Sequence, residues 1–192
     1  LEFIEDILQH NTDVVVIVDE AYIDFGGTSA LALIDSYENL LVVRTFSKSR
    51  SMAGLRIGYA IGNPELIQAL NNVKYSFNSY TMNRPSIELG VESLKDEAYF
   101  QETVGKIVKT RVWFEEEMRK LGFEFPDSKA NFIFATHKNA AAEDIFKAAK
   151  EKNIYVRYFK QPRIDNYLRI TIGTDEEMQQ LLQFLKEYLK ES

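Results

Sequence analysis

Asp19, Lys48 and Arg56 stand at the ends of apolar runs, and together they could do chemistry that none could do alone. Asp19 closes "DVVVIVDE". Lys48 follows "NLLVVRTF" and sits between Ser47 and Ser49, and Arg56 comes eight positions later in "LRIGYAIG". A carboxylate can keep a ring nitrogen protonated, an amine can attack an aldehyde, and a guanidinium fork matches phosphate. A strand-end salt bridge is the plainer use of the same three groups.

For these groups to meet, the segments carrying them must end on one edge of a sheet. "DVVVIVDE" is an unbroken apolar run closed by acids, the pattern of a strand buried on both faces, and "NLLVVRTF" is a second. About twenty residues with "GG" and "ALALI" separate them. That length suits a crossover, which predicts parallel strands. The loop over 47–54 is too short for a crossover, so "LRIGYAIG" is predicted to return antiparallel. In open α/β sheets ligands bind outside the carboxyl ends of parallel strands. Asp19 and Lys48 belong to that edge, and the returning strand brings Arg56 to it.

The rest of the chain reads as helices and a second unit. Residues 1–10 read as a helix with Leu1, Ile4 and Leu8 on one face. "NPELIQALNNVKYSF" starts with Asn63 as N-cap and Pro64 in the first turn, and "RPSIELGVESL" repeats the Pro start. The longest helix covers "DEAYFQETVGKIVKTRVWFEEEMRKLG". Phe100, Val104, Ile107, Arg111, Phe114, Met118 and Leu121 recur in it at helical spacing, and Gly122 closes it. That stripe, with Trp113 beside it, reads as core packing. Beyond it come a strand over 131–136, a helix over 141–152, strands over 154–158 and 167–172, and a last helix from Thr174. The fold class is α/β, with domains over 1–95 and 96–192, the second including the long helix.

Composition narrows the function classes. The 192 residues are 45% hydrophobic and 27% charged, with a net charge of −6 and no block of five basic residues, so no nucleic-acid partner is expected. With no cysteine and two isolated histidines, His10 and His137, no metal site is expected, and each histidine reads as a surface or capping residue. No run of about 18 apolar residues occurs, so no membrane partner is expected. The acidic, amphipathic start and the lack of an initiator Met predict a mature or cut chain rather than a secretory signal.

Rival motifs fit poorly. A Walker A loop needs Gly directly before the lysine, where Ser47 stands, and Ser-x-x-Lys chemistry fails because Arg50 is three positions after Ser47. "VVVIVDE" resembles a Walker B strand, which leaves a nucleotide-binding switch as a remote alternative. One cofactor uses all the groups at once. Pyridoxal 5'-phosphate forms a Schiff base with a lysine, wants an acid against its pyridine nitrogen, and needs cations or hydroxyls on its phosphate. Tyr22, three residues past Asp19, could hydrogen-bond its phenolic oxygen.

The segments "DEAYIDFGG" (19–27), "TFSKSRSMAGLRIGYAIG" (45–62), "SFNSY" (76–80) and "YLRITIGT" (167–174) resemble the histidinol-phosphate aminotransferases, a group of the fold-type I pyridoxal-phosphate enzymes. The resemblance covers essentially the whole chain. It implies the C-terminal part of the large cofactor-binding domain, a mostly parallel sheet with helices, followed by the smaller α/β domain. It implies Lys48 as the catalytic, cofactor-anchoring lysine, Asp19 on the pyridine nitrogen, Tyr22 on the ring hydroxyl, and Ser47 and Arg56 on the phosphate. Arg169 resembles the arginine that grips the substrate carboxylate or phosphate, and Arg157 a second anion-binding position. The implied reaction is ping-pong transamination between histidinol phosphate and 2-oxoglutarate in histidine biosynthesis, by a cytoplasmic homodimer. A broad aromatic aminotransferase of the same fold is the alternative. The family's N-terminal arm, its phosphate-binding Gly/Ala/Ser turn, its ring-stacking aromatic residue and its Asn-Pro-x-x-Pro-Thr-Gly loop are not found. The expectation is therefore a C-terminal portion that alone binds the cofactor poorly and does not turn over.

Overall fold

The computed structural model describes residues 1–191. The chain forms two compact units, Leu1–Gln101 and from Glu102 onward. The boundary expected from sequence lay between 95 and 96.

The first unit begins with helix α1 (Glu2–His10), whose Leu8 is fully buried. Strand β1 (Val16–Asp19) runs parallel to β2 (Leu40–Thr45), with Asp19 opposite Val43. Strand β3 (Gly58–Gly62) returns antiparallel to β2, with Thr45 opposite Gly58. The crossover between β1 and β2 is built of two short 3-10 turns, Ile23–Phe25 and Ala30–Leu33. Leu8, Ala30, Leu40 and Val42 form the core on that side of the sheet.

The first apolar run departs from its expectation. Val14, Val15 and Ile17 are exposed, so β1 is not covered on both faces within the described residues. β1 is an edge strand of the order β1-β2-β3, and its packed side is that of Val16 and Val18. An unbroken apolar run signals that both faces can be buried, and it says nothing about which layers lie over them.

Helix α2 (Pro64–Phe77) starts where its cap predicts and α3 (Arg84–Lys95) at its Pro start, with Asn83 as a cap that sequence reasoning did not single out. Asn63 and Asn83 accept hydrogen bonds from the backbone N–H of Glu65 and Ser86, each at 2.9 Å. Helix α4 (Glu97–Lys120) begins in the first unit and continues into the second, and Gly122 ends it with φ of 87°.

In the second unit β4 (Phe123–Glu124), β5 (Phe132–His137), β6 (Arg157–Tyr158) and β7 (Leu168–Thr171) form an antiparallel sheet in the order β4-β5-β7-β6. Helices α5 (Ala142–Glu151) and α6 (Asp175–Glu191) join the end of α4 around one core. Phe114 and Met118 of α4 are fully buried there, with Ile107, Trp113 and Leu121 packed alongside, so that part of the aromatic stripe is core. The two-residue β4 carried no sequence signal, and the strand expected over 154–158 is reduced to Arg157–Tyr158 because only those residues pair with β7.

Candidate active site

The carboxyl ends of β1 and β2 and the amino end of β3 share one edge of the first sheet, and the segment between Phe46 and Ile57 loops out from it. Strand alternation sorts the side chains there. In the register Ile17 pairs with Leu41 and Asp19 with Val43, so these four share one face. Glu20, one residue on, falls on the other face with Val18 and Val42, where the crossover packs.

Asp19 is exposed and accepts a hydrogen bond from Ala21 N–H on Oδ1 at 3.0 Å. Its second oxygen has no hydrogen-bond partner among the described residues. Lys48 is half-buried, and its Nζ lies 5.5 Å from the centre of the Tyr22 ring. Ser47 N–H donates to Thr45 Oγ1 at 3.1 Å, and the two hydroxyls are 2.9 Å apart. Arg56 adopts the left-handed region with φ of 57°, is exposed, and donates from Nη1 to Ala53 O at 3.0 Å.

No ion pair joins Asp19, Lys48 and Arg56 to one another among the described residues. The strand-end salt bridge is made by their neighbours instead. Arg44 donates from Nε and Nη2 to Glu20 Oε2 at 3.0 and 2.8 Å. Glu20 also accepts from Ala30 N–H at 2.6 Å and from the Ser29 hydroxyl. Burial works against the Arg44 charge, but its hydrogen bonds to Glu20 and Tyr59 and the Glu20 charge outweigh that and raise its pKa. The simplest competing use of the charges is therefore taken up elsewhere, and the amine and carboxylate at this edge remain available to a ligand.

Sequence reasoning passed over Glu20 and Arg44, although the period of two already placed Glu20 opposite in face to Asp19. It also passed over the bond from Ser49 Oγ to Asp24 Oδ2, which joins the lysine loop to the turn after Tyr22. No local pattern announces a contact between residues 25 positions apart.

The two remaining predicted residues lie in the second unit. Arg157 and Arg169 are register partners on β6 and β7, so their side chains share a face. Arg157 stacks over Phe159 at 5.3 Å, and Arg169 lies between Phe132 at 5.5 Å and Phe159 at 6.0 Å. Arg169 Nε is buried without a hydrogen-bond partner. Like charges directly opposite across a strand pair are unfavourable, and an unfilled buried donor costs about 1–3 kcal/mol. An anion between them would relieve both.

Neither histidine departs from its expectation of a capping or surface role. His137 Nε2 is 3.1 Å from Leu121 O at the end of α4, and exposed His10 Nδ1 is 2.8 Å from Asp6 O. Among the described residues no cluster could hold a metal ion, and no helix is long and apolar enough to cross a membrane.

The family "Aminotransferase class I and II" matches residues 1–185. A histidinol-phosphate aminotransferase of Brachyspira hyodysenteriae is 54% identical over 191 residues, covering 99% of this chain and 54% of that protein. The chain thus spans about half the length of the curated relatives it matches. The crystal structure of the Clostridium acetobutylicum histidinol-phosphate aminotransferase superposes with a TM-score of 0.90 at 27% identity, over 100% of this chain and 59% of that one. The Sinorhizobium meliloti enzyme, solved in complex with pyridoxal-5'-phosphate, gives 0.79 at 27% identity, over 92% and 49%.

Proposed function

This chain belongs to the class I and II aminotransferases, and on that footing we propose that it carries the cofactor-anchoring and substrate-gripping residues of a histidinol-phosphate aminotransferase. The observation that carries the reading is the amine of Lys48, free of ion pairs among the described residues, held 5.5 Å from the Tyr22 ring on the edge where Asp19 ends. The donor set suits pyridoxal phosphate: an amine for its aldehyde, a carboxylate for its ring nitrogen, a phenol for its ring oxygen, and a hydroxyl and a guanidinium for its phosphate.

When bound, the cofactor supplies an electron sink for the carbon that loses its proton. The rest is work for the chain. Lys48 Nζ would anchor the cofactor through its aldehyde and, once freed by the amino donor, would serve as the general base and acid that moves the donor's α-proton. Asp19 keeps the ring nitrogen protonated, since an exposed carboxylate beside a cationic ring favours the charged pair. Tyr22 donates to the ring oxygen, while Ser47 and Arg56 hold the phosphate. Arg169, with its unfilled Nε, and Arg157 opposite it bind the substrate's anionic end, carboxylate or phosphate alike.

On this reading residues 1–95 complete the large cofactor-binding domain and 96–192 form the small domain. The enzyme is proposed to work as a cytoplasmic homodimer. The apolar side chains that α2 and α3 leave exposed, among them Val73, Phe77, Ile87 and Leu94, support a further protein surface over them.

The test is to express the protein from its complete gene, add pyridoxal phosphate and reduce with borohydride. Peptide mapping should find the cofactor on Lys48. Transamination of histidinol phosphate with 2-oxoglutarate should outpace that of phenylalanine. Label elsewhere than Lys48 sinks the site assignment, and a preference for phenylalanine sinks the substrate.

A further inference from the structure

The residues after Lys48 are tied to different parts of the first unit. Ser49, itself buried, donates to Asp24 in the turn that follows Tyr22. Ser51 N–H closes back on Lys48 O at 3.1 Å and takes φ of 55°, which makes the turn tight. Arg50 reaches α3, α4 and Phe46. Its Nη1 donates to Ser93 O at 2.6 Å, near the end of α3. Its guanidinium lies 4.0 Å from the centre of the Phe100 ring and 5.6 Å from that of Phe46, and Nη2 is 3.8 Å from Glu97 in the first turn of α4. Only 14% of the side chain is exposed.

Helix α3 meets the lysine loop at three points, through Ser86, Gly90 and Ser93. Ser86 Oγ donates to Leu55 O at 3.0 Å, and a Cβ on Gly90 would fall 2.9 Å from Ile57 Cδ1. The carbonyl of Ser93 holds Arg50. Positions 86, 90 and 93 follow helical spacing, so small residues let the loop lie close while Arg50 clamps its other end.

We propose that Arg50 is a positioning residue for Lys48: it fixes the lysine turn between the end of α3 and the start of α4, so that Nζ is presented at one place. The inference rests on Lys48 being the cofactor-anchoring amine. A lysine head on four methylenes is free to wander, and its placement depends on how firmly its Cα is held. Arginine suits the clamp because one planar group must donate to a carbonyl, lie flat on a ring and face a carboxylate. A lysine there keeps the charge but loses the fork and the flat stacking face. Arg50 touches no reacting atom and acts through the backbone two residues away.

A purely structural role predicts lower stability alone, so the test needs other readouts. In the protein expressed from its complete gene, R50K and Phe100→Leu are compared with the parent and with Arg84→Ala, a surface change on α3 where 88% of the side chain is exposed. Two measurements use cofactor-free protein: the melting temperature and hydrogen exchange over residues 46–52. Two use protein loaded with pyridoxal phosphate: the pH midpoint of the visible absorbance change, and kcat.

The expected result is that R50K melts close to the parent but exchanges faster over 46–52 and has a shifted midpoint. Its kcat should fall by about 10²-fold, the loss that a displacement of about 1 Å at a reacting group produces. Phe100→Leu should show the same pattern more weakly, and Arg84→Ala none of it. R50K and Phe100→Leu that match the parent in exchange and midpoint overturn the inference, whatever their melting temperatures. If R50K does not fold, Phe100→Leu decides by the same readouts. A parent that takes up no pyridoxal phosphate sinks the aminotransferase reading and this inference with it. A parent that loads normally beside unaltered variants sinks the inference alone.

Discussion

Glu20 Oε2 receives both Nε and Nη2 of Arg44, and this pair locks the carboxyl end of β1 to that of β2 one residue beyond Asp19. Glu20 keeps only 4% of its side chain exposed while Arg44 keeps 21%. Removing one partner of a buried pair costs about 3–5 kcal/mol, and the partly wet arginine argues for the lower end. Glu20→Ala should therefore destabilise the first unit by about 3 kcal/mol in urea unfolding. A loss within about 0.5 kcal/mol, the range of an ordinary surface change, would show the bridge to be incidental.

Lys48 behaves oppositely. It makes no ion pair among the described residues and is only half-buried. Lys48→Ala should leave stability within about 0.5 kcal/mol while abolishing borohydride-stable attachment of pyridoxal phosphate. A large stability loss would mark the lysine as a structural residue.

Arg169 and Arg157 should separate by burial. Arg169 has a buried, unfilled Nε, whereas Arg157 is exposed. A charged hydrogen bond is worth about 1.5–3 kcal/mol, so Arg169→Ala should raise KM for both amino donor and acceptor by about 10- to 100-fold. Arg157→Ala should raise it less. Steady-state kinetics with both substrates decides, and a larger effect at Arg157 reverses the assignment.

Glu115 of α4 gives a pH signature. Burial pushes its carboxyl above the usual carboxylate value, against the opposing charges of Arg111, Arg119 and Lys129, while Asp127 adds to the rise. A raised folded pKa contributes stability that is fully present below the unfolded value and lost as pH climbs through the folded one. The ionised group therefore weighs against the fold at neutral pH. Glu115→Gln stays neutral throughout, so the parent should lose stability relative to it as pH rises through and above the ordinary glutamate range. Paired urea unfolding at each pH measures this, and a parent whose stability relative to the glutamine variant stays flat or rises with pH contradicts it.

Much of the architecture was legible because local physics decides it. Asn63 caps α2 because its side chain satisfies a free N–H group two residues on. The parallel β1–β2 pair and the antiparallel β3 follow from connection length. Gly122 ends α4 because the chain there needs φ of 87°, where a Cβ is strained. Asp19 and Lys48 fall on one edge by the same reasoning, and the segments "DEAYIDFGG" and "TFSKSRSMAGLRIGYAIG" carry the aminotransferase resemblance in the sequence itself. What tertiary structure decided are relations between distant positions. Glu20 and not Asp19 takes up the salt bridge with Arg44, Arg50 reaches across to Ser93 and Phe100, and Arg169 Nε is buried without a partner. Among the described residues β1 leaves one face exposed rather than burying both. Periodicity says which way a side chain points along its own element, and only packing determines what stands on the other side.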